Sequence, residues 1–213
     1  MCAGLGDWRP AGVIMSQLTF RLGTMAQIVL FHSALGLNDG MHRIAGVFSE
    51  AGHTVHMPDF YDGNVFDNVP DGIAYRDEIG FPALAQRASG AIDGLGLEGP
   101  IYFGGFSLGA AMAQSFGKRH PQAAGAFLCH AGGVPKPTSW NGDCWLQMHY
   151  TEGDEWVDAQ QAETLIESAR AAGAQASAHV YPGSAHLFGD PTAPEYSPEL
   201  AQKMWDTILA AIR

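Results

Sequence analysis

Positive charge is scarce in this sequence. Only 11 lysines and arginines stand against 22 aspartates and glutamates, and the formal net charge is −11. Binding to phosphates needs clustered basic residues, so composition argues against a nucleic-acid partner. Cysteine is rarer still. Cys2, Cys129 and Cys144 form no C-x-x-C pair, which offers neither a disulfide framework nor a zinc site and reads as free thiols in a reducing cytoplasm. No apolar run reaches the length of a membrane span, and the first residues lack the basic start and apolar core of a secretion signal. Repeats, low-complexity tracts and linkers are missing as well. The hydrophobic content of 46% is high enough for a folded core, and 213 residues suit one domain.

What is there begins with an opening segment of no steady period. Residues 1–24 read as a poorly ordered extension, with Met25 as an alternative initiator, and residues 25–213 as the folded domain. From Met25 onward, strand-like and helix-like segments alternate. "QIVLFHS" (27–33) is a strand, and "GMHRIAGVFSEAG" (40–52) sets Met41, Ile44, Val47 and Phe48 on one helical face. A second strand (53–59) ends at Pro58, and residues 60–72, rich in turn formers, read as a long loop. Residues 73–95 look helical with a break near Gly80 and Pro82. Strands follow at 100–106, 123–133, 144–153 and 175–183, and helices at 108–120, 159–173 and from Ser197, a capping serine before Pro198. This βαβ series predicts an α/β fold, a mostly parallel central sheet with helices on both faces, whose chemistry sits at the carboxyl ends of the strands. No insertion is long enough for a large cap domain.

One stretch meets that demand. In "YFGGFSLGAAMAQ" (102–114), Ser107 falls between a strand and a helix with Gly105 and Gly109 two residues to either side. That is the setting of a nucleophile elbow, a turn so tight that side chains at the two glycines would collide. The helix start adds free N–H groups and a positive dipole end near an oxygen that gains charge during acyl transfer. A serine hydroxyl needs a base and the base needs an orienting acid, in the chain order serine, acid, histidine. "YTEGDEWVD" supplies Asp154 directly after a strand, and "YPGSAHLF" supplies His186 after the next. Asp158 is a rival acid, although its place before a helix suits an N-cap.

With these motifs and "LFHSALGLNDGMHRIAGVFSEAGHTVHMPDFYDG", the sequence resembles the dienelactone hydrolase family of α/β hydrolases from about Met25 to the C-terminus. The resemblance implies Ser107 as nucleophile, His186 as general base and acid, Asp154 as its partner, and an oxyanion hole from the backbone N–H groups of Ala34 and Leu108. Candidate pocket residues are Ser33, Leu35, Phe106, His130, Trp156 and Leu187. Three departures stand out. The namesake enzymes use cysteine where Ser107 stands, and a glutamate where Ser33 stands. They also hold a substrate carboxylate with arginine, at the place of Asp190, which would repel it. Arg76 is a candidate replacement from another loop.

Competing motifs are weaker. "GLGLEG" (94–99) matches a dinucleotide fingerprint, but a helix precedes it and a strand follows, the reverse of what that fingerprint requires. His130 and His149 lack companions at metal-ligand spacing, so no metal and no cofactor are expected. Asp59 suits a turn after Pro58, and His32 a place behind the oxyanion loop. The sequence thus points to a small serine esterase acting on an ester, lactone or thioester, its pocket ringed by loops 60–72, 132–143 and 187–196. A non-catalytic ligand-binding relative and an acyltransferase are the alternatives. Oligomeric state is not legible.

Overall fold

A computed structural model describes residues 25–131 and 139–212. Six strands form one parallel sheet in the order β2-β1-β3-β4-β5-β6. The order reverses between β1 (Gln27–Phe31) and β3 (Ile101–Phe106), where Phe31 lies in register with Gly105. Such a reversal opens a crevice beyond the carboxyl ends of two neighbouring strands. All six residues of β3 are buried, as expected of a central strand covered on both faces. From it the sheet runs outward through β4 (Ala123–Cys129) and β5 (Trp145–Thr151) to the edge strand β6 (Ala176–Tyr181).

Helices cover both faces. On one side α2 (Val69–Ile79), α3 (Phe81–Asp93), α4 (Leu108–Arg119) and α5 (Ala159–Ala171) bury Leu84, Ile92, Met112 and Leu165 against Phe103 and Leu128. On the other, α1 (Asp39–Glu50) and α6 (Pro198–Ala211) bury Met41, Ile44, Phe48, Met204 and Trp205 against Leu30 and Phe127. Val47, expected on the same stripe of α1, is only partly buried.

Two boundaries differ from the sequence expectation. The second strand, β2, is only Thr54–His56. It is an edge strand that closes just before Met57 and Pro58, and proline has no N–H to offer a ladder. The loop expected over 60–72 ends early, because α2 begins at Val69: Asn68 Oδ1 accepts from Asp71 N at 2.9 Å and a proline follows in the first turn. The break between α2 and α3 falls at Gly80, where φ is 84°.

Candidate active site

Ser107 joins β3 to α4 with φ 52° and ψ −113°, a conformation that side chains rarely adopt. Its neighbours hold it there. Ser107 N–H donates to the Cys129 carbonyl at 2.8 Å, and its own carbonyl accepts from Ala110 N–H at 2.9 Å. Glycine is required on both sides. A Cβ on Gly105 would overlap the Gly109 carbonyl, and one on Gly109 would overlap the carbonyls of Phe31 and His32. The elbow therefore packs against β1 and α4 at backbone distance.

The loops after β5 and β6 are stitched together before they reach Ser107. Glu152 N–H donates to Tyr181 O and Gly153 N–H to Gly183 O, each at 2.9 Å, while Thr151 Oγ1 donates to Ala185 O at 3.0 Å. This fixes Asp154 opposite His186. His186 Nδ1 lies 2.8 Å from Asp154 Oδ2 and 3.0 Å from Oδ1. An ionised carboxylate can only accept, so Nδ1 carries the proton and Nε2 presents a lone pair. That lone pair faces Ser107 Oγ at 2.9 Å. Asp154 Oδ1 also accepts from Trp156 N–H at 2.9 Å, and both Asp154 and His186 are buried. The result is an unbroken line of hydrogen bonds, hydroxyl to imidazole to carboxylate, at the carboxyl ends of three strands.

Two backbone N–H groups belong to the segments that meet at the elbow. Leu108 opens α4, and no preceding helical turn offers its N–H a carbonyl. Ala34 lies in the loop after β1, next to the elbow through the Phe31–Gly105 register, and its carbonyl lies against Gly72 of α2. The arrangement can move a proton from a hydroxyl onto a fixed imidazole while N–H groups receive a charged oxygen.

Residues 21–213 match the dienelactone hydrolase family. The chain belongs to that family. It is accordingly an α/β hydrolase that acts on ester bonds. Solved structures share the fold at low identity. A dienelactone hydrolase-like promiscuous phosphotriesterase from metagenomic libraries is 19% identical, with TM-score 0.76 over 89% of this chain and 86% of the other. A phospholipase/carboxylesterase from Dyadobacter fermentans is 18% identical, with TM-score 0.56 over 88% and 91%. The esterase PE8 is 19% identical, with TM-score 0.58 over 90% and 94%. A comparison with curated proteins finds no match.

In this hydrolase the remaining candidate residues divide. Leu35 and Leu187 pack together with Ala193 and Val69 into a small apolar patch beside Ala34 and His186. Trp156 is 54% exposed and lays its ring 5.7 Å from the His186 ring. Ser33 is buried and spends its hydroxyl on its own loop, accepting from Leu35 N–H at 3.1 Å. Phe106 and His130, the two remaining pocket-wall candidates, are both buried. Strand alternation turns Phe106 to the α6 face, where its ring meets Trp205 at 6.0 Å. His130 lies in the core behind His186, its ring 6.2 Å from the His186 ring and 4.6 Å from that of Phe188. Burial pushes the His130 imidazole well below its usual range, and the nearby His186 adds to this.

The charged candidates are occupied elsewhere. Asp190, expected to confront substrate, is buried, accepts from Thr192 N–H and Oγ1, and leaves no room for a Cβ at Gly40 of α1. Arg76 pairs with its neighbour Asp77 at 2.7 Å. Asp158 caps α5 by accepting from Gln160 and Gln161 N–H. Asp59 closes the turn after Pro58, and His32 at 3.5 Å with the N–H groups of Tyr61 and Gly63 hold its carboxyl at about 2. Sequence reasoning missed Glu195, whose Oε1 accepts from Leu187 N–H at 2.9 Å and so ties down the segment after His186. An exposed glutamate in a loop carries no signal of that role. Residues 1–24, read as an extension, and 132–138, within the second loop expected around the pocket, lie outside the described residues.

Among the described residues no group of three potential metal ligands occurs, and no helix is long and apolar enough to cross a membrane.

Proposed function

We propose that this hydrolase cleaves a small ester, lactone or thioester through an acyl-enzyme on Ser107. The observation that carries the reading is the hydrogen-bonded line from Ser107 Oγ through His186 to Asp154. His186 Nε2 takes the hydroxyl proton as Oγ bonds to the substrate carbonyl carbon. The carbonyl oxygen becomes an oxyanion facing the N–H groups of Ala34 and Leu108. As the C–O or C–S bond to the leaving group breaks, the imidazolium returns its proton to that group. Water then adds to the acyl carbon by the same relay, and Ser107 leaves with the proton restored. Asp154 holds the tautomer and offsets the transient charge on the ring.

Hydrolysis is favoured over transfer to another acceptor by exposure. Ser107 is only partly buried, and the Trp156 ring on the outer side of His186 is open to solvent. Water therefore reaches the acyl carbon. The free thiols Cys129 and Cys144 support a reducing compartment such as the cytoplasm. The test is labelling with a fluorophosphonate probe together with turnover of p-nitrophenyl acetate. Wild type should be labelled, and Ser107→Ala should lose both the label and at least 1,000-fold in kcat, roughly the effect of removing an activated nucleophile. A well-folded wild type that takes no label would overturn the acyl-enzyme reading of Ser107.

A further inference from the structure

A groove of about 430 Å³ opens one residue beyond Ala34, within the volume range of small-molecule sites. Leu35, Leu37, Val65 and Phe66 supply its apolar lining, and Asp39 and Asp67 its charge. Against those two carboxylates it presents one imidazole, His42, and neither lysine nor arginine. The groove adjoins the segments that carry the reacting groups. Leu35 belongs both to it and to the patch with Leu187, the residue after His186, and Val69 at the start of α2.

The start of α1 forms part of this groove through Asn38 and Asp39 and would ordinarily attract an anion. Here that positive end is already answered. Asn38 Oδ1 accepts from Met41 N–H at 3.0 Å, Asp39 sits in the first turn, and buried Asp190 presses on Gly40. An anionic group on a substrate would meet the carboxylates of Asp39 and Asp67 on the groove lining, on a protein of net charge −11.

We propose that this groove binds the acyl chain of the substrate, that it accepts uncharged apolar chains, and that it turns away chains ending in a carboxylate. The substrate class is then a neutral ester or thioester with a short to medium hydrocarbon acyl group, opposite in charge preference to a carboxylate-bearing lactone. The assignment rests on the acyl-enzyme reading of Ser107. Leu35 sets the groove's inner end, and Asp39 and Asp67 set its charge selectivity.

The experiment is a kcat/KM series on p-nitrophenyl acetate, butyrate and hexanoate, with mono-p-nitrophenyl adipate as the carboxylate-ended counterpart of the hexanoate. It is run at low and high salt beside fluorophosphonate labelling. The proposal expects kcat/KM to rise toward about fourfold per CH2 that enters the groove. It expects hexanoate to exceed adipate at least tenfold, with the gap narrowing in salt. In the double variant Asp39→Lys, Asp67→Lys the hexanoate-to-adipate ratio should fall at least fivefold. Leu35→Trp should lower the hexanoate-to-acetate ratio by filling the inner end. A labelled enzyme with a flat chain-length series, or with hexanoate and adipate turned over alike, overturns this proposal alone. An enzyme that takes no label overturns the acyl-enzyme reading, and this proposal with it.

Discussion

The two ends of the sheet make the most instructive comparison in the molecule. At the amino ends of β5 and β6 lies a cavity of about 610 Å³ lined by Trp145, Leu146, Gln147 and Ala176, larger than the groove of about 430 Å³ at the carboxyl ends. Beside His186 and Asp154 the cavity is only about 220 Å³. Volume alone would choose the amino end. The amino end has room but brings no hydroxyl, base and acid into line, whereas the carboxyl end aligns three side chains within 3.0 Å contacts. A parallel sheet explains the asymmetry. All six strands run the same way, so every strand-to-helix loop that can carry an aimed side chain opens at one end.

The sharpest way to break this comparison is to perturb one carboxylate at each end. Asp154→Asn keeps the shape but lets the amide donate where the carboxylate accepted, which favours the wrong imidazole tautomer. We expect kcat on p-nitrophenyl acetate to fall by roughly 10³- to 10⁴-fold, with folding retained. Asp143→Asn, on the lining of the amino-end cavity, should stay within about twofold of wild type. Equal losses in the two variants would mean that the alignment at the carboxyl end is not what catalysis depends on.

A middle-sized effect separates glycines that hold the elbow from those that merely occupy a helix. At Gly105 an added Cβ meets the Gly109 backbone, whereas at Gly90 of α3 it meets nothing within 4 Å. Gly105→Ala should therefore destabilise by at least about 1–3 kcal/mol, the ordinary cost of overpacking, because backbone cannot move aside as a side chain can. Gly90→Ala should stabilise by about 0.5–1 kcal/mol through helix propensity. Urea denaturation of the two variants checks both signs. A neutral Gly105→Ala would show that β3 and α4 can separate at the elbow without cost.

These positions also show what the sequence could reveal and where it fell silent. The fold was legible because apolar runs of strand length alternated with helical stripes, and the resemblance to dienelactone hydrolases added the order of the motifs. The placement of Ser107, Asp154 and His186 in the loops after β3, β5 and β6 was legible for the same reason, since each lies within a few residues of a strand end. The start of α2 was written in Asn68 and Pro70 but hidden among turn formers that compete for the same signal. Side-chain direction was not legible where it depends on tertiary packing. Whether Asp190 faces substrate or α1 is decided by the space left at Gly40, and His130 lies behind His186 because its backbone adopts φ 60°, which no spacing rule announces.

That buried histidine gives the smallest of the expected effects, and one that reads the underside of the carboxyl-end site. Burial lowers the pKa of both His130 and His149 well below the usual histidine range. With the folded value depressed, the unfolded chain binds the proton first as pH falls. Stability is then full above the unfolded value near 6.5 and declines as pH drops below it. Each histidine should contribute roughly 0.7 kcal/mol to the decline between pH 7 and 6, if its folded form stays neutral throughout. His130→Asn tests the share of His130, since asparagine tolerates the positive φ at this position better than most residues. The variant should show a shallower loss of stability from pH 7 to 6 than wild type, whatever its stability at pH 7. Parallel pH curves would mean that His130 takes up its proton in the folded protein, and that the space between Phe106, Phe188 and His186 can shelter a charge.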